Sequence, residues 1–272
     1  VHTATVSSSR SVAQPLSPSI TQPLPAQNPI TVPLRAARAA SPATQPSVRI
    51  AERLALIEAE LPVTRRVVRA GDFVYRTGDA FGSLCIVHAG LFKTVNVAPD
   101  GREQVVGLHF KGDWLGFDGM ADGRFGCDAV AMDTGEVWIV RYDAMLAACS
   151  RLPTLMADMH AAMSRELARD RDSMLALCTL SADARVADFL RNWAQTLEQR
   201  GLRTDRITLR MTRAEIGNLL GMKLETVSRA LSRLARDGHI SFSERGRRDI
   251  EIPSVAALAT FIERSLSQAT VH

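Results

Sequence analysis

Glycine placement is the strongest constraint on how this chain can fold: twelve of its seventeen glycines lie between Gly71 and Gly135, and none lies between Gly135 and Gly201. Glycine reaches the positive φ of tight turns and weakens helix interiors. The middle of the chain therefore suits short, turn-linked strands, and the stretch behind it suits helices. Between the glycines stand short apolar runs at 73–75, 85–87, 95–97, 105–108 and 137–140, and Pro99, Asp100 and Gly101 read as a hairpin turn. Such spacing predicts an antiparallel barrel or jelly roll.

Past Tyr142 the pattern turns helical. Met156, Met159, Met163, Leu167, Asp170, Met174 and Leu177 recur at steps of three and four, which puts them on one seam of a long helix. The seam suits either a partner helix or the chain's own barrel. Asp170 favours a controlled dimer, since a two-fold axis would bring this acid near its own copy and raise the cost of pairing.

Upstream, residues 1–48 hold eight of the twelve prolines, no aromatic residue and no acid. That composition cannot bury enough apolar surface to offset ordering entropy, and predicts a disordered tail. A short helix is expected over 50–60, stopped by Pro62. No run approaches the ~18 apolar residues of a membrane span, and the N-terminus lacks the apolar block of a secretory signal. The sequence is therefore read as cytoplasmic, with no membrane partner. Cys85, Cys127, Cys149 and Cys178 form no CxxC pair, which argues against a zinc knuckle or a disulfide framework and for buried reduced thiols.

Charge is unevenly spread. Residues 51–180 carry 14 basic and 18 acidic side chains, whereas 181–272 carry 15 and 11, so a polyanion would be held at the C-terminal end. That end contains the most informative segment, 212–234, which reads as helix, glycine turn, helix. Gly221 can supply the left-handed turn residue and Gly217 a close helix approach. On a wheel of the second helix, Leu224, Val227, Ala230, Leu231 and Leu234 share one arc, while Glu225, Ser228, Arg229, Ser232 and Arg233 share the other.

The exposed arc has the chemistry of a major-groove reader. Arg229 can donate two hydrogen bonds to a guanine, Glu225 can accept from a cytosine amino group, and Ser228 adapts to either. Thr212, Arg213, Lys223, Thr226 and Arg233 suit DNA phosphates, which position without specifying. Two strands expected at 239–242 and 249–252 would complete a winged helix, with Arg245, Arg247 and Arg248 at the wing beside the backbone.

These residues resemble the family of the catabolite activator protein and the anaerobic regulator Fnr, over roughly 50–263. Residues 225–229, Glu-Thr-Val-Ser-Arg, are similar to the Fnr recognition signature, and 112–118, Gly-Asp-Trp-Leu-Gly-Phe-Asp, to the Fnr form of the sensor barrel. The resemblance implies an α+β architecture: a disordered tail at 1–48, an antiparallel β-roll of the cyclic-nucleotide-binding type at 49–150, a dimerisation helix at 151–180, a winged helix-turn-helix at 181–263 and a short tail at 264–272. It further implies a homodimer on double-stranded DNA, reading a TTGAT-like inverted repeat through Glu225, Ser228 and Arg229, and recruiting RNA polymerase to activate anaerobic, redox or nitrogen-oxide-related genes.

Departures from the family pattern bear on the signal. Fnr holds an iron–sulfur cluster on N-terminal cysteines and one roll cysteine; here no cysteine precedes Cys85, and Trp138 takes the roll position. Cyclic-nucleotide binders place Gly-Glu and Arg-Ser pairs around the ligand phosphate; the comparable stretches here are 116–118 (Gly-Phe-Asp) and 126–128 (Gly-Cys-Asp), without the arginine. No cofactor is therefore expected, with iron–sulfur and cyclic AMP argued against. Haem or nitric oxide at His88 or His109, a thiol response and control by abundance all stay open. Lys223 replaces the usual Ser or Thr cap of the recognition helix, at about 1 kcal/mol. An enzymatic barrel is not expected, because the roll offers only two histidines and the chain has no nucleophile elbow, phosphate loop or HExxH. A dimeric module that binds a protein instead of DNA is the remaining alternative.

Overall fold

The glycine-rich stretch forms two facing antiparallel sheets, as its spacing predicts. The computed structural model describes residues 46–98, 101–243 and 248–269. The tail through residue 45, the turn residues Pro99 and Asp100, and the wing arginines Arg245 and Arg247 lie outside them. Helix α1 (Pro46–Glu60) leads into β1 (Val63–Val68), β2 (Phe73–Tyr75), β3 (Ser83–Ala89), β4 (Phe92–Val97), β5 (Glu103–His109) and β6 (Trp114–Leu115). The one-turn helix α2 (Gly119–Asp122) separates these from β7 (Asp128–Ala131) and β8 (Gly135–Arg141). The expected helix over 50–60 thus begins earlier, inside the stretch read as tail.

One sheet has the order β1-β8-β3-β6 and the other β2-β7-β4-β5. Alternation along β3 explains the layering. Cys85 and Val87 point into the core between the sheets with Phe92, Leu115, Ala129 and Val137. Leu84 and Ile86 point the other way, into a second core with Leu54 and Ile57 of α1, Trp114, Trp138 and Val140. A strand buried on both faces reads as a continuous apolar run, which is what residues 84–87 are.

The helical half opens with α3 (Tyr142–Arg151) and α4 (Pro153–Thr179). At 27 residues, α4 is about 40 Å long. Its N-terminal half covers the roll through Leu155, Met159 and Ala162, and Met163 packs on the same cluster. This corrects part of the expected seam: Met159 is 5% exposed, and it and Met163 are taken up by the chain's own barrel. Beyond them Leu167 is 55% and Met174 67% exposed, and Met156 and Leu177 are also open. Asp170 is exposed among them. Part of the stripe thus packs on the chain's own barrel, and the rest is open.

The C-terminal part comprises α5 (Ala182–Glu198), β9 (Arg206–Thr208), α6 (Arg213–Leu219), α7 (Leu224–Arg236), β10 (Ser241–Phe242), β11 (Asp249–Glu251) and α8 (Val255–Ala269). Its small sheet runs β10-β11-β9, so the expected two-stranded wing gains a third strand. Helix α8 buries Leu258 and Ile262, packs against α5 and runs past residue 263, where the sequence reading placed the start of a tail.

Candidate nucleic-acid interface

Helices α6 and α7 are held together by the two glycines singled out above. Gly221 has φ +62°, the left-handed conformation of the turn. A Cβ on Gly217 would stand 2.5 Å from the Met222 carbonyl oxygen, so any larger residue would force the helices apart. Thr212 caps α6 in a reciprocal box: its hydroxyl accepts from the Glu215 N–H at 3.1 Å, and the Glu215 carboxylate accepts from the Thr212 N–H at 2.8 Å. Lys223 at the head of α7 makes no side-chain cap, as expected.

Helix α7 is sharply two-faced. Val227, Ala230, Leu231 and Leu234 are buried, while Glu225 and Arg229 are exposed and Ser228 is half-buried. Ser228, Arg229, Ser232, Arg233 and Arg236 line an open groove of about 330 Å³. The three expected base readers thus share one accessible face. Leu224 departs from the expectation: it is 45% exposed and does not anchor the helix. It lies next to Glu225 in the first turn of α7, open to solvent like that residue.

The expected phosphate contacts divide. Lys223 is exposed, and Arg213 and Thr226 are half-buried. Arg248 is exposed at the wing, its carbonyl accepting from the Leu209 N–H at 2.8 Å. Arg233 is corrected. Its guanidinium forks onto Asp183 in the first turn of α5, with Nε donating at 2.6 Å and Nη2 making a second bond, so it braces α7 against α5. The Thr212 hydroxyl is likewise committed to Glu215, to which it also donates at 3.0 Å.

The sequence did not reveal how firmly this head is seated on its own roll. Asn218 of α6 uses its side-chain amide as a strand would use its backbone: Oδ1 accepts from the Val105 N–H at 2.5 Å, and Nδ2 donates to the Glu103 carbonyl. Beside it Lys93 Nζ meets Glu215 Oε1 at 2.5 Å. Burial works to raise the Glu215 carboxyl, but the bonds from Lys93 and Thr212 hold it below its ordinary range. A second patch centres on Asp113, which takes Arg200 at 2.9 Å and Arg169 at 3.4 Å, while Phe110 meets Trp193 edge to face. Burial works to raise Asp113, yet Arg200 and then Arg169 hold it low. Where α4 meets α5, Arg185 donates to the Leu180 carbonyl at 3.0 Å and to the Leu220 carbonyl at 3.2 Å. Leu177, expected in the dimer seam, also reaches the helix-turn-helix, its Cδ2 lying 3.2 Å from where a Gly221 Cβ would be.

The roll does not fit the iron–sulfur cluster or the cyclic nucleotide weighed from the sequence. Trp138 at the cysteine position is buried, donates from its indole N–H to Glu136 at 2.8 Å and stacks on His88 at 4.5 Å. Cys85 and Cys149 lie in separate cores, and burial pushes the Cys85 thiol up to about 12. No group of three or more metal-ligating side chains occurs among the described residues. At the stretch comparable to a cyclic-nucleotide phosphate site, Asp118 Oδ2 accepts from the N–H groups of Gly126 at 2.8 Å and Cys127 at 3.0 Å. An incoming phosphate would meet a carboxylate there. His109 is packed inside the roll with the Thr94 hydroxyl at 3.2 Å, and burial lowers its pKa to about 4.

Comparison with known proteins agrees with this geometry. Residues 184–261 match a Crp-like helix-turn-helix domain and residues 65–151 a cyclic nucleotide-binding domain. The transcriptional activator protein anr of Pseudomonas aeruginosa is 34% identical over 194 residues, covering 71% of this chain and 80% of its own length. The fumarate and nitrate reduction regulatory protein of Escherichia coli is 32% identical over 177 residues, 65% of this chain and 71% of its own. Among solved structures, FixK2 from Bradyrhizobium japonicum superposes with a TM-score of 0.65 at 28% identity, over 74% of this chain and 97% of that one. With a two-faced recognition helix, a roll of the matching topology and relatives of this kind, the chain belongs to the Crp/Fnr family of helix-turn-helix transcription regulators.

Proposed function

We propose that the chain works as a homodimer on an inverted-repeat operator with TTGAT-like half-sites, read by Glu225, Ser228 and Arg229. The observation that carries this reading is the helix with buried Val227, Ala230, Leu231 and Leu234 beneath an open face of carboxylate, hydroxyl and guanidinium groups. Leu224 adds an apolar contact suited to a thymine methyl. Lys223, Arg213, Thr226 and Arg248 supply phosphate contacts, joined by Arg245 and Arg247. The dimer seam is the open part of α4 with Met156, Leu167, Met174 and Leu177. Relatives named as an activator and as a fumarate and nitrate reduction regulator support recruitment of RNA polymerase at anaerobic or redox-related genes. Its work on the chromosome assigns it to the cytoplasm, and the relatives' role as regulators supports a non-enzymatic protein.

Arg229→Ala tests the reading. Titrated against operators substituted one base pair at a time, the variant should lose about 1–3 kcal/mol and its preference at one position of each half-site. Unchanged affinity and unchanged base preference would leave the chain as a dimeric module whose charged face meets a protein instead.

A further inference from the structure

Three arginines stand on one side of α7. Arg229, Arg233 and Arg236 follow one another at steps of four and three residues, and all line the open groove with Ser228 and Ser232. Such a stripe of guanidinium groups attracts a DNA backbone, with a pull that is the same for every sequence. The three are not equally free. Arg229 is exposed. Arg236 meets Asp237 through Nε at 3.4 Å, and both of those side chains are open to solvent. Arg233 is held through two nitrogens by the two oxygens of Asp183, with Nε donating to Oδ2 at 2.6 Å.

The carboxylate is as firmly placed as the guanidinium it holds. Asp183 lies in the first turn of α5, where the helix end favours negative charge. The Ser181 hydroxyl caps that turn, accepting from the Ala184 N–H at 3.4 Å, and α5 packs on α7. Asp183 and Arg233 are both half-buried, so salt screens this pair less than it screens Arg236 and Asp237. A forked bond to a carboxylate also satisfies the same guanidinium nitrogens that a phosphate would take.

We propose that Asp183 acts through Arg233 as a stand-in for a DNA phosphate, so that α7 meets the duplex with one cation withheld from the backbone. Phosphate contacts add affinity for any duplex, whereas base contacts add it for one sequence. Withholding Arg233 keeps the sequence-independent share of binding small and leaves Arg229 available to a base edge. Asp183 is thus a positioning residue outside the recognition helix that limits how strongly that helix grips DNA of any sequence. The inference rests on the reading of DNA by α7.

The test is the salt dependence of binding by the full-length chain, on an operator duplex and on an unrelated one. Asp183→Asn keeps an oxygen that can accept from the guanidinium and drops the charge. It should steepen the fall of log affinity with log salt by about 0.9 on both duplexes, a further loss of about three- to fourfold over a fourfold rise in salt. Asp183→Glu, which keeps the charge, should retain the wild-type slope. So should Glu263→Gln, which removes the same charge from an exposed position on α8. Adding Arg233→Gln to Asp183→Asn should bring the slope back to the wild-type value. An unchanged slope in Asp183→Asn, with or without lost affinity, would make the pair a brace and nothing more, and overturn the proposal. So would equal steepening by Glu263→Gln, or a double variant flatter than wild type, which would mean that Arg233 had held a phosphate all along. Steepening by Asp183→Asn in a protein whose base preference survives Arg229→Ala would sink the assignment of the base reader and leave this inference standing.

Discussion

His109 shows how one buried side chain makes stability depend on pH. Burial lowers its pKa to about 4, against the pull of Asp113, whereas the unfolded chain has the ordinary value near 6.5. The unfolded state therefore binds the proton more readily, and stability rises with pH across that window. The contribution is complete above pH ~6.5 and is lost as pH falls toward 4, by about 3 kcal/mol at full extent. Urea midpoints of wild type and His109→Gln measured across this range should diverge, with a flatter profile in the variant. Parallel profiles would mean that His109 does not titrate on unfolding. The residue also shows what sequence can convey: a histidine in a strand was visible as a candidate ligand, but only the packed structure shows its ring enclosed with Thr94.

At the scale of elements, the helix-turn-helix was the most legible part, because its turn requires particular residues. Gly217→Ala should destabilise the C-terminal domain by about 1–3 kcal/mol through the clash with the Met222 carbonyl, read as a drop in melting temperature with the roll intact. A variant as stable as wild type would show that α6 and α7 can separate at no cost. Strand β9 escaped notice because three residues with only Ile207 buried carry too little alternation to stand out. Leu224 was misassigned because a helical wheel records direction and not whether a neighbour is present. Asn218 gave no signal at all: a polar residue on a short helix looks solvated until β5 is seen to lie 113 residues away in sequence and 2.5 Å away in space.

Across the whole molecule, the open face of α4 is where the proposed assembly can be tested. Leu167 and Met174 are apolar surface that a second copy would cover, and Asp170 sits between them. Burial raises the nearby Glu166 to about 7, with Asp170 among the negative neighbours that add to the rise and Arg169 opposing it. Asp170→Ala therefore removes a like-charge cost along the seam, and sedimentation should show tighter dimerisation. An unchanged or weaker monomer–dimer equilibrium would place the acid outside the interface.

The seating of α6 on β5 would set a mechanical limit on what the proposed dimer can grip. Asn218 and Lys93 tie each helix-turn-helix to its roll, and Arg185 of α5 bonds to the Leu220 carbonyl in its turn. In the proposed dimer, two heads so tied would work like callipers locked at one opening. An operator lengthened by a single base pair between its halves turns the far half by roughly a tenth of a revolution, and locked jaws cannot follow it.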